Sequence, residues 1–373
     1  MISILDDYCA HQGPSFVAIP AISDRNFYDR YFFSGYSKDG EIHFGFAFGR
    51  YPNRFVQDAH FSVAFQGRQY SLHASETLHG DPAVSRAGSL RVEIIDPMRV
   101  LRCVCLENDE GLRCDLRFSA ETAPMSEGRL RLDKDGIEYV DQTRFMQYGR
   151  WDGWIEIDGM RYEFPAGSVF GLRDKSWGIR PIGEQHATVN KGDQIFWMNV
   201  VMRLEHTFSV IRTLRKGDGS ILECTGYMVP IYPSPEETPL QECEVLEISS
   251  WSFELEFHED TRRIVGGNYI IDFDSGAQRI ITGKVLTSFF YAGLGYNHNK
   301  WHHGLDHSGE LLQEREDWQL ADVDYSSLER QFMASMMVFS EGETIVGFGH
   351  TEQLLMGEYS PYGWDRDTYI GLR

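Results

Sequence analysis

Asp174 is the carboxylate with the most unusual surroundings in this chain. It stands in Gly171-Leu172-Arg173-Asp174-Lys175-Ser176-Trp177-Gly178-Ile179-Arg180, which also carries two guanidiniums, an ammonium, a hydroxyl and an indole. A carboxyl group beside an indole in a part-apolar pocket has its pKa raised and can act as a general acid near neutral pH. A neighbouring arginine pushes the other way, and the sequence leaves open which effect wins. Polar groups at successive positions fit poorly with a simple core strand. The glycines point to unusual backbone angles or to close approach of another group. On spacing alone the stretch reads as a structural corner, with Arg173 and Arg180 paired to carboxylates and Trp177 packed. The functional reading puts Asp174 and Trp177 in a pocket.

A second group lies between Gly293 and His307. His298, His302, His303, Asp306 and His307 place five proton carriers or metal ligands within ten residues. A zinc site uses three or four such side chains. The spacing matches no HExxH or CxxC…H pattern, so a loop of solvated histidines weighs as much as a site. Tyr296 and Trp301 favour a pocket, because a solvated loop has little use for them. A third candidate is Glu352 in Gly347-Phe348-Gly349-His350-Thr351-Glu352-Gln353, where it follows a strand expected to be buried. An exposed residue at a strand end is the commoner outcome there. Tyr148, Trp154, Trp197 and Asn199 flank the centre and are candidates for the same cavity, although each alone is more often a packing residue. There is no GxSxG, no P-loop and no GxGxxG ahead of a helix, which argues against a serine hydrolase, a nucleotide enzyme and a Rossmann dehydrogenase.

The elements that must hold these residues read as strands. Ile42, Phe44, Phe46 and Phe48 recur at a spacing of two, a half-buried strand face. Lys38-Asp39-Gly40, Gln66-Gly67-Arg68 and Asp158-Gly159 are turn signals between apolar runs. The pattern resumes at Gln194–Leu204 and closes with Gln331–Phe339 and Thr344–Leu355 as a hairpin. Residues 1–24 look irregular, Leu130–Val140 is ambiguous, and one short helix fits near Tyr325–Arg330. No long segment keeps a 3.6-residue period. The fold class is therefore all-β, mostly antiparallel, of sandwich or barrel type.

The length of 373 residues exceeds one ordinary core and predicts two domains, 1–185 and 186–373, joined near 180–192. The aromatic content of 13% suits β-rich structure with aromatic-lined cavities. A formal net charge of −21 argues against nucleic acid and anionic membrane as partners. No stretch reaches membrane-spanning length, and no basic region followed by an apolar run marks a secretory signal. Six cysteines without CxxC or dense spacing read as free thiols in a reducing cytoplasm. Cys103 and Cys105, two apart in a strand-like run, read as packing residues.

The central decapeptide resembles the G-x-R-D-H-S-W-G-x-R signature of the hydroxyneurosporene-synthase/AttH-like superfamily. Tyr51-Pro52-Asn53, the segment from Gly295 to Gly304, and Gly349-x-x-Glu352-Gln353 resemble a bacterial branch of the same group. The resemblance covers most of the chain at low identity. It implies two consecutive lipocalin-like antiparallel β-barrels. It also implies cofactor-free acid/base chemistry of hydratase, dehydratase, lyase, isomerase or cyclase type. The substrate would be a hydrophobic unsaturated small molecule, terpenoid, steroid-like or aromatic. The resemblance matches Asp174 and Trp177 to the motif; together with the candidates read from the residues themselves, Asp174, His298, His303 and Glu352 are the expected catalytic groups. Trp177, Tyr148, Trp197, Asn199, Tyr296 and Trp301 are the expected substrate contacts, all around one apolar chamber shared by the two barrels. Lys175 stands where the signature has His; if that His carries a proton in the relatives, His298 or His303 would have to supply an imidazole here. Two other readings stay open: a lipocalin-like carrier without chemistry, and a metal enzyme using His298, His302, His303 or His307. Oligomeric state is open, a homodimer included.

Overall fold

The computed structural model describes residues 2, 4–9, 11, 22–79, 83–134, 136–183, 194–259, 261–325 and 327–365. Two antiparallel sheets carry nearly all the regular structure. The first runs in the order Leu312–Gln319, Arg68–Thr77, Val56–Phe65, Ile42–Tyr51, Phe27–Ser37, Val169–Ile179, Ile137–Ile157, Leu112–Ala120, Val100–Cys105, Leu90–Asp96, Arg86–Ala87. The second runs Leu246–Glu247, Ile221–Pro230, Thr207–Arg215, Ile195–Arg203, Thr344–Met356, Phe332–Glu341, Gln278–Phe290, Ile264–Asp272, Ser250–Phe257. Both sheets curl, giving the two consecutive lipocalin-like barrels of an all-β chain. The expected junction at 180–192 falls mostly on residues outside those described. One strand from the second half, Leu312–Gln319, leaves its neighbours and pairs with Arg68–Thr77 at the edge of the first sheet.

Phe44, Phe46 and Phe48 point into the first core, beside Phe33, Phe61 and Trp151. The alternation read from sequence is therefore real, but the opposite face of that strand is buried too. His43 stacks on Phe289 from the second half, and Gly45 lies under Leu294. A third cluster, which includes Phe32, Met146, Tyr148, Leu172, Val201, Phe208 and Tyr291, joins the halves. An outer face with small or ring-shaped residues between the phenylalanines is the mark of a surface that docks on another sheet.

The central stretch corrects one expectation. It is a regular strand, Val169–Ile179, paired along its length with Phe27–Ser37 on one side and Ile137–Ile157 on the other. Its polar side chains are affordable because both faces meet polar partners. A Cβ at Gly171 would sit 1.9 Å from the carbonyl oxygen of Ser34. One at Gly178, where φ is +128°, would sit 2.1 Å from that of Asp141. Only glycine lets the three strands close at these points. Ile137–Ile157 is also longer than the sequence indicated, taking in the ambiguous 130–140 region with its partner Met125–Lys134. In place of the short helix expected near Tyr325–Arg330, the described residues form a single 3-10 turn, Leu328–Arg330.

Candidate active site

Strand alternation divides the central stretch into two faces. Leu172, Asp174 and Ser176 face the second half; Arg173, Lys175 and Trp177 face the interior side of the first. On the interior side Arg173 pairs with Asp7 and donates to Gln147 Oε1 at 2.9 Å. Lys175 pairs with Asp29, and its ammonium lies 4.4 Å from the centre of the Tyr31 ring. His11 reaches Asp6 at 2.8 Å and Asp29 at 3.0 Å and stacks on Trp177, ring centres 3.6 Å apart. Burial holds the His11 imidazole down at about 4, against the hydrogen bond it makes to the Asp6 carboxylate. Trp177 is thus a packing residue capped by the N-terminal segment, not a wall of the cavity that Asp174 faces. Of the structural reading, the ion pair holds for Arg173 and the packing for Trp177; the stretch is a strand and not a corner, and Arg180 meets His303 instead of a carboxylate among the described residues.

Asp174 lines a cavity of about 200 Å³ between the two sheets. Phe32 and Met146 flank it as direct cross-strand neighbours. From the second half come Trp197, Asn199, Tyr291, Tyr296, Phe332 and Glu352. Asn199 and Glu352 are cross-strand partners, as are Trp197 and Leu354, so that one sheet face delivers all four. Among the described residues none donates a hydrogen bond to the Asp174 carboxyl group. Burial pushes its pKa up to about 6; Arg144 opposes this, while Glu127 and Glu352 reinforce it. Arg144 is itself committed to Glu127, which also pairs with Arg212 at 2.6 Å.

Glu352 is buried and firmly held. Tyr291 donates to its Oε1 at 2.5 Å, and Asn199 Nδ2 donates to its Oε2 at 3.0 Å. Burial and this carboxylate keep the Tyr291 hydroxyl well above its ordinary pKa, so that it remains a donor. Tyr296 accepts a hydrogen bond from Arg30 Nη1 at 2.8 Å, which leaves its own proton free to donate.

The imidazoles expected in the chamber lie outside its lining. His303 donates from Nε2 to the Leu294 carbonyl at 2.9 Å and accepts at Nδ1 from Arg180 at 3.0 Å. Burial, Arg30 and Arg180 hold it well below its ordinary pKa, so it stays neutral and positions Arg180. His298 turns to Glu316 Oε1 at 3.0 Å. That oxygen also meets His73 Nε2 at 3.1 Å, and His73 Nδ1 meets His60 Nδ1 at 2.8 Å. Trp301 stacks on His73 instead of facing the cavity. Tyr148 meets Tyr227 at 3.2 Å between hydroxyls and stacks on Phe208 in the joining core. Trp154 lies on the sheet surface under Arg161.

Of the four late histidines only His298 joins a cluster with metal-ligand geometry among the described residues. The donor atoms of His73, His298 and Glu316 lie within 4.8 Å of one another. The hydrogen bonds do not fit a metal there. His298 Nδ1 accepts from the backbone N–H of both Lys300 and Trp301 at 3.0 Å. A neutral ring with Nδ1 as acceptor carries its proton on Nε2, the atom facing Glu316. The cluster is a hydrogen-bonded tie between the late loop and the edge strand. The loop's contribution to the cavity is Tyr296 and Asn297. Sequence reasoning missed Phe32, Arg144, Arg180, Tyr291 and Phe332 as lining residues. Alternation could have found Ser176, two positions after Asp174, Leu354, two after Glu352, and Met146 and Arg144, two and four before Tyr148.

Two docked lipocalin-like barrels with a carboxyl-bearing cavity between them define the class of protein. The structure is similar to an AttH-like protein from Nitrosomonas europaea, with a TM-score of 0.53 at 11% identity, covering 90% of this chain and 94% of that one. It is also similar to kievitone hydratase from Nectria haematococca, with a TM-score of 0.51 at 10% identity, covering 87% and 88%. The chain belongs to DUF8625, a family of unknown function whose model matches residues 2–365. No curated protein sequence matches it.

Proposed function

We propose that this protein is a cofactor-independent acid/base enzyme of hydratase or isomerase type, acting on an apolar unsaturated small molecule through Asp174. The observation that carries the reading is the placement of the Asp174 carboxyl group, which faces an aromatic-lined cavity with no hydrogen-bond donor among the described residues; burial there pushes its pKa up to about 6. At pH 6–7 such a group is divided between its acid and its conjugate base, so it can give a proton and take one back. In the hydration direction the Asp174 O–H bond breaks and a C–H bond forms at one alkene carbon. The cation at the other carbon is screened by the faces of Trp197, Tyr291 and Tyr296 and by the nearby Glu352 carboxylate. Water adds to the cation and its proton returns to Asp174. The reverse sequence is dehydration, and loss of a different proton is isomerisation.

The hydratase among the structural relatives supports this reading through the fold it shares. The cavity volume narrows the ligand: about 150 Å³ holds benzene, so 200 Å³ takes one ring with a short arm. A steroid-sized molecule would have to protrude.

Proton delivery to carbon can be read without knowing the natural substrate. Single-ring alkenes and tertiary alcohols are incubated with the protein in D₂O and scored by mass spectrometry for deuterium on carbon. The reading expects label with the wild type and a loss of 10²-fold or more with Asp174→Asn. Equal labelling by the variant removes Asp174 from the chemistry. A ligand that co-purifies and binds but is never labelled favours the carrier reading.

A further inference from the structure

Arg180 lines the cavity just past the end of the central strand. Its charge is not spent on a carboxylate: no ion pair to it occurs among the described residues. Its Nη2 donates to His303, and its Nε is buried with no hydrogen-bond partner. The guanidinium is held over the Tyr28 ring at 4.5 Å and near Tyr296 at 5.9 Å. Arg144, the other cation in the lining, is neutralised by Glu127. Among the described residues the cavity lining therefore has one positive charge without a carboxylate partner, beside a tyrosine whose hydroxyl proton is free because Arg30 occupies its oxygen. The rest of the wall includes Phe32, Met146, Trp197, Phe332 and Leu354.

We infer that the ligand carries a single carboxylate, which pairs with Arg180 and accepts a hydrogen bond from Tyr296, while its apolar body lies toward Asp174. This rests on the acid/base reading and names the substrate class for it. Three physical points support it. A planar guanidinium matches a carboxylate. A cation developing on the ligand beside a bare guanidinium would be repelled, and an anionic group on the same ligand cancels that repulsion. A phosphate dianion would face Glu352 and Asp174 with, among the described lining residues, a single cation outside an ion pair to offset it. A bound monoanion also disfavours ionisation of Asp174, keeping the acid charged with its proton.

Calorimetric binding of benzoate, cinnamate and 3-cyclohexylpropanoate is compared with that of benzyl alcohol, cinnamyl alcohol, 3-cyclohexylpropanol and phenyl phosphate. At least one carboxylate should bind tenfold or more tightly than its alcohol, and phenyl phosphate more weakly than benzoate. Arg180→Gln should abolish the preference for acid over alcohol, and Arg180→Lys should retain part of it. Binding by no carboxylate, equal or tighter binding of the alcohols, tighter binding of phenyl phosphate, or an unchanged preference in Arg180→Gln overturns the inference. If Arg180→Gln does not fold, the acid–alcohol comparison on the wild type decides alone. Asp174-dependent deuterium labelling without a carboxylate preference would sink this inference and spare the acid/base reading. The preference without any labelling would do the reverse.

Discussion

Asp174 and Lys175 are neighbours in the chain and lie on opposite faces of one strand, Asp174 in the cavity between the barrels and Lys175 against Asp29 on the interior side of the first. The Lys that stands where the similar signature has His therefore takes no proton carrier from the cavity. It sits in a buried polar layer that already holds an imidazole, His11, stacked on Trp177. Lys175→Met should leave Asp29 buried with less compensation and cost about 3–5 kcal/mol of stability. Deuterium labelling per folded molecule should be unchanged. Denaturant unfolding read beside the labelling assay separates the two; loss of labelling in a folded variant would put Lys175 in the mechanism.

The pH dependence of stability should differ between Asp174 and His11. Asp174 has a folded pKa of about 6, above its ordinary 3.8. Its contribution is present below pH 3.8 and is lost as pH rises through 6. By linkage the wild type should lose up to roughly 3 kcal/mol across that interval relative to Asp174→Asn. His11 has a folded pKa of about 4, below its ordinary 6.5. Its contribution is present above 6.5 and is lost as pH falls through 4. Unfolding midpoints of wild type and Asp174→Asn at pH 4, 5, 6 and 7 isolate the first effect. A constant difference would show Asp174 to titrate normally.

Much of this was legible in the sequence, and the limits have physical causes. Period-2 phenylalanines and turn dipeptides fixed the all-β class, because alternation and tight turns are local. The dense polar residues of the central stretch, and the signature they resemble, led to Asp174, and the closing hairpin to Glu352. Trp177 was misplaced by neglect of the same alternation: three residues after Asp174, it must face the other way. His298 and His303 were misjudged because their partners, Glu316, Leu294 and Arg180, depend on how the late loop lies against the first barrel. Tyr291 and Phe332 carried no local signal at all, since only docking of the two halves turns them into walls.

The glycines of the central strand should be intolerant of change. Gly171→Ala puts a methyl group 1.9 Å from the Ser34 carbonyl oxygen, a contact that only strand separation relieves. The expected cost exceeds 3 kcal/mol, beyond the usual range for a single substitution. A soluble variant with a wild-type unfolding midpoint would contradict the three-strand packing described here.

Zinc should not bind productively at His73, His298 and Glu316, because the His298 Nε2 facing Glu316 carries a proton fixed by two backbone donors at Nδ1. Saturating Zn²⁺ should leave the unfolding midpoint within 1–2 °C of the metal-free value, on the order of 1 kcal/mol or less. A rise of about 5 °C or more that His73→Ala abolishes would restore a metal role.

The central claim is that the cavity keeps a proton on Asp174 into the neutral range, where it can be given to a bound ligand. Infrared difference spectra of wild type against Asp174→Asn, recorded across pH 4–8, follow the protonated carboxyl stretch of that one side chain. A band that disappears with a midpoint near 6 is the result predicted; a carboxylate already ionised at pH 4 to 5 would contradict the account.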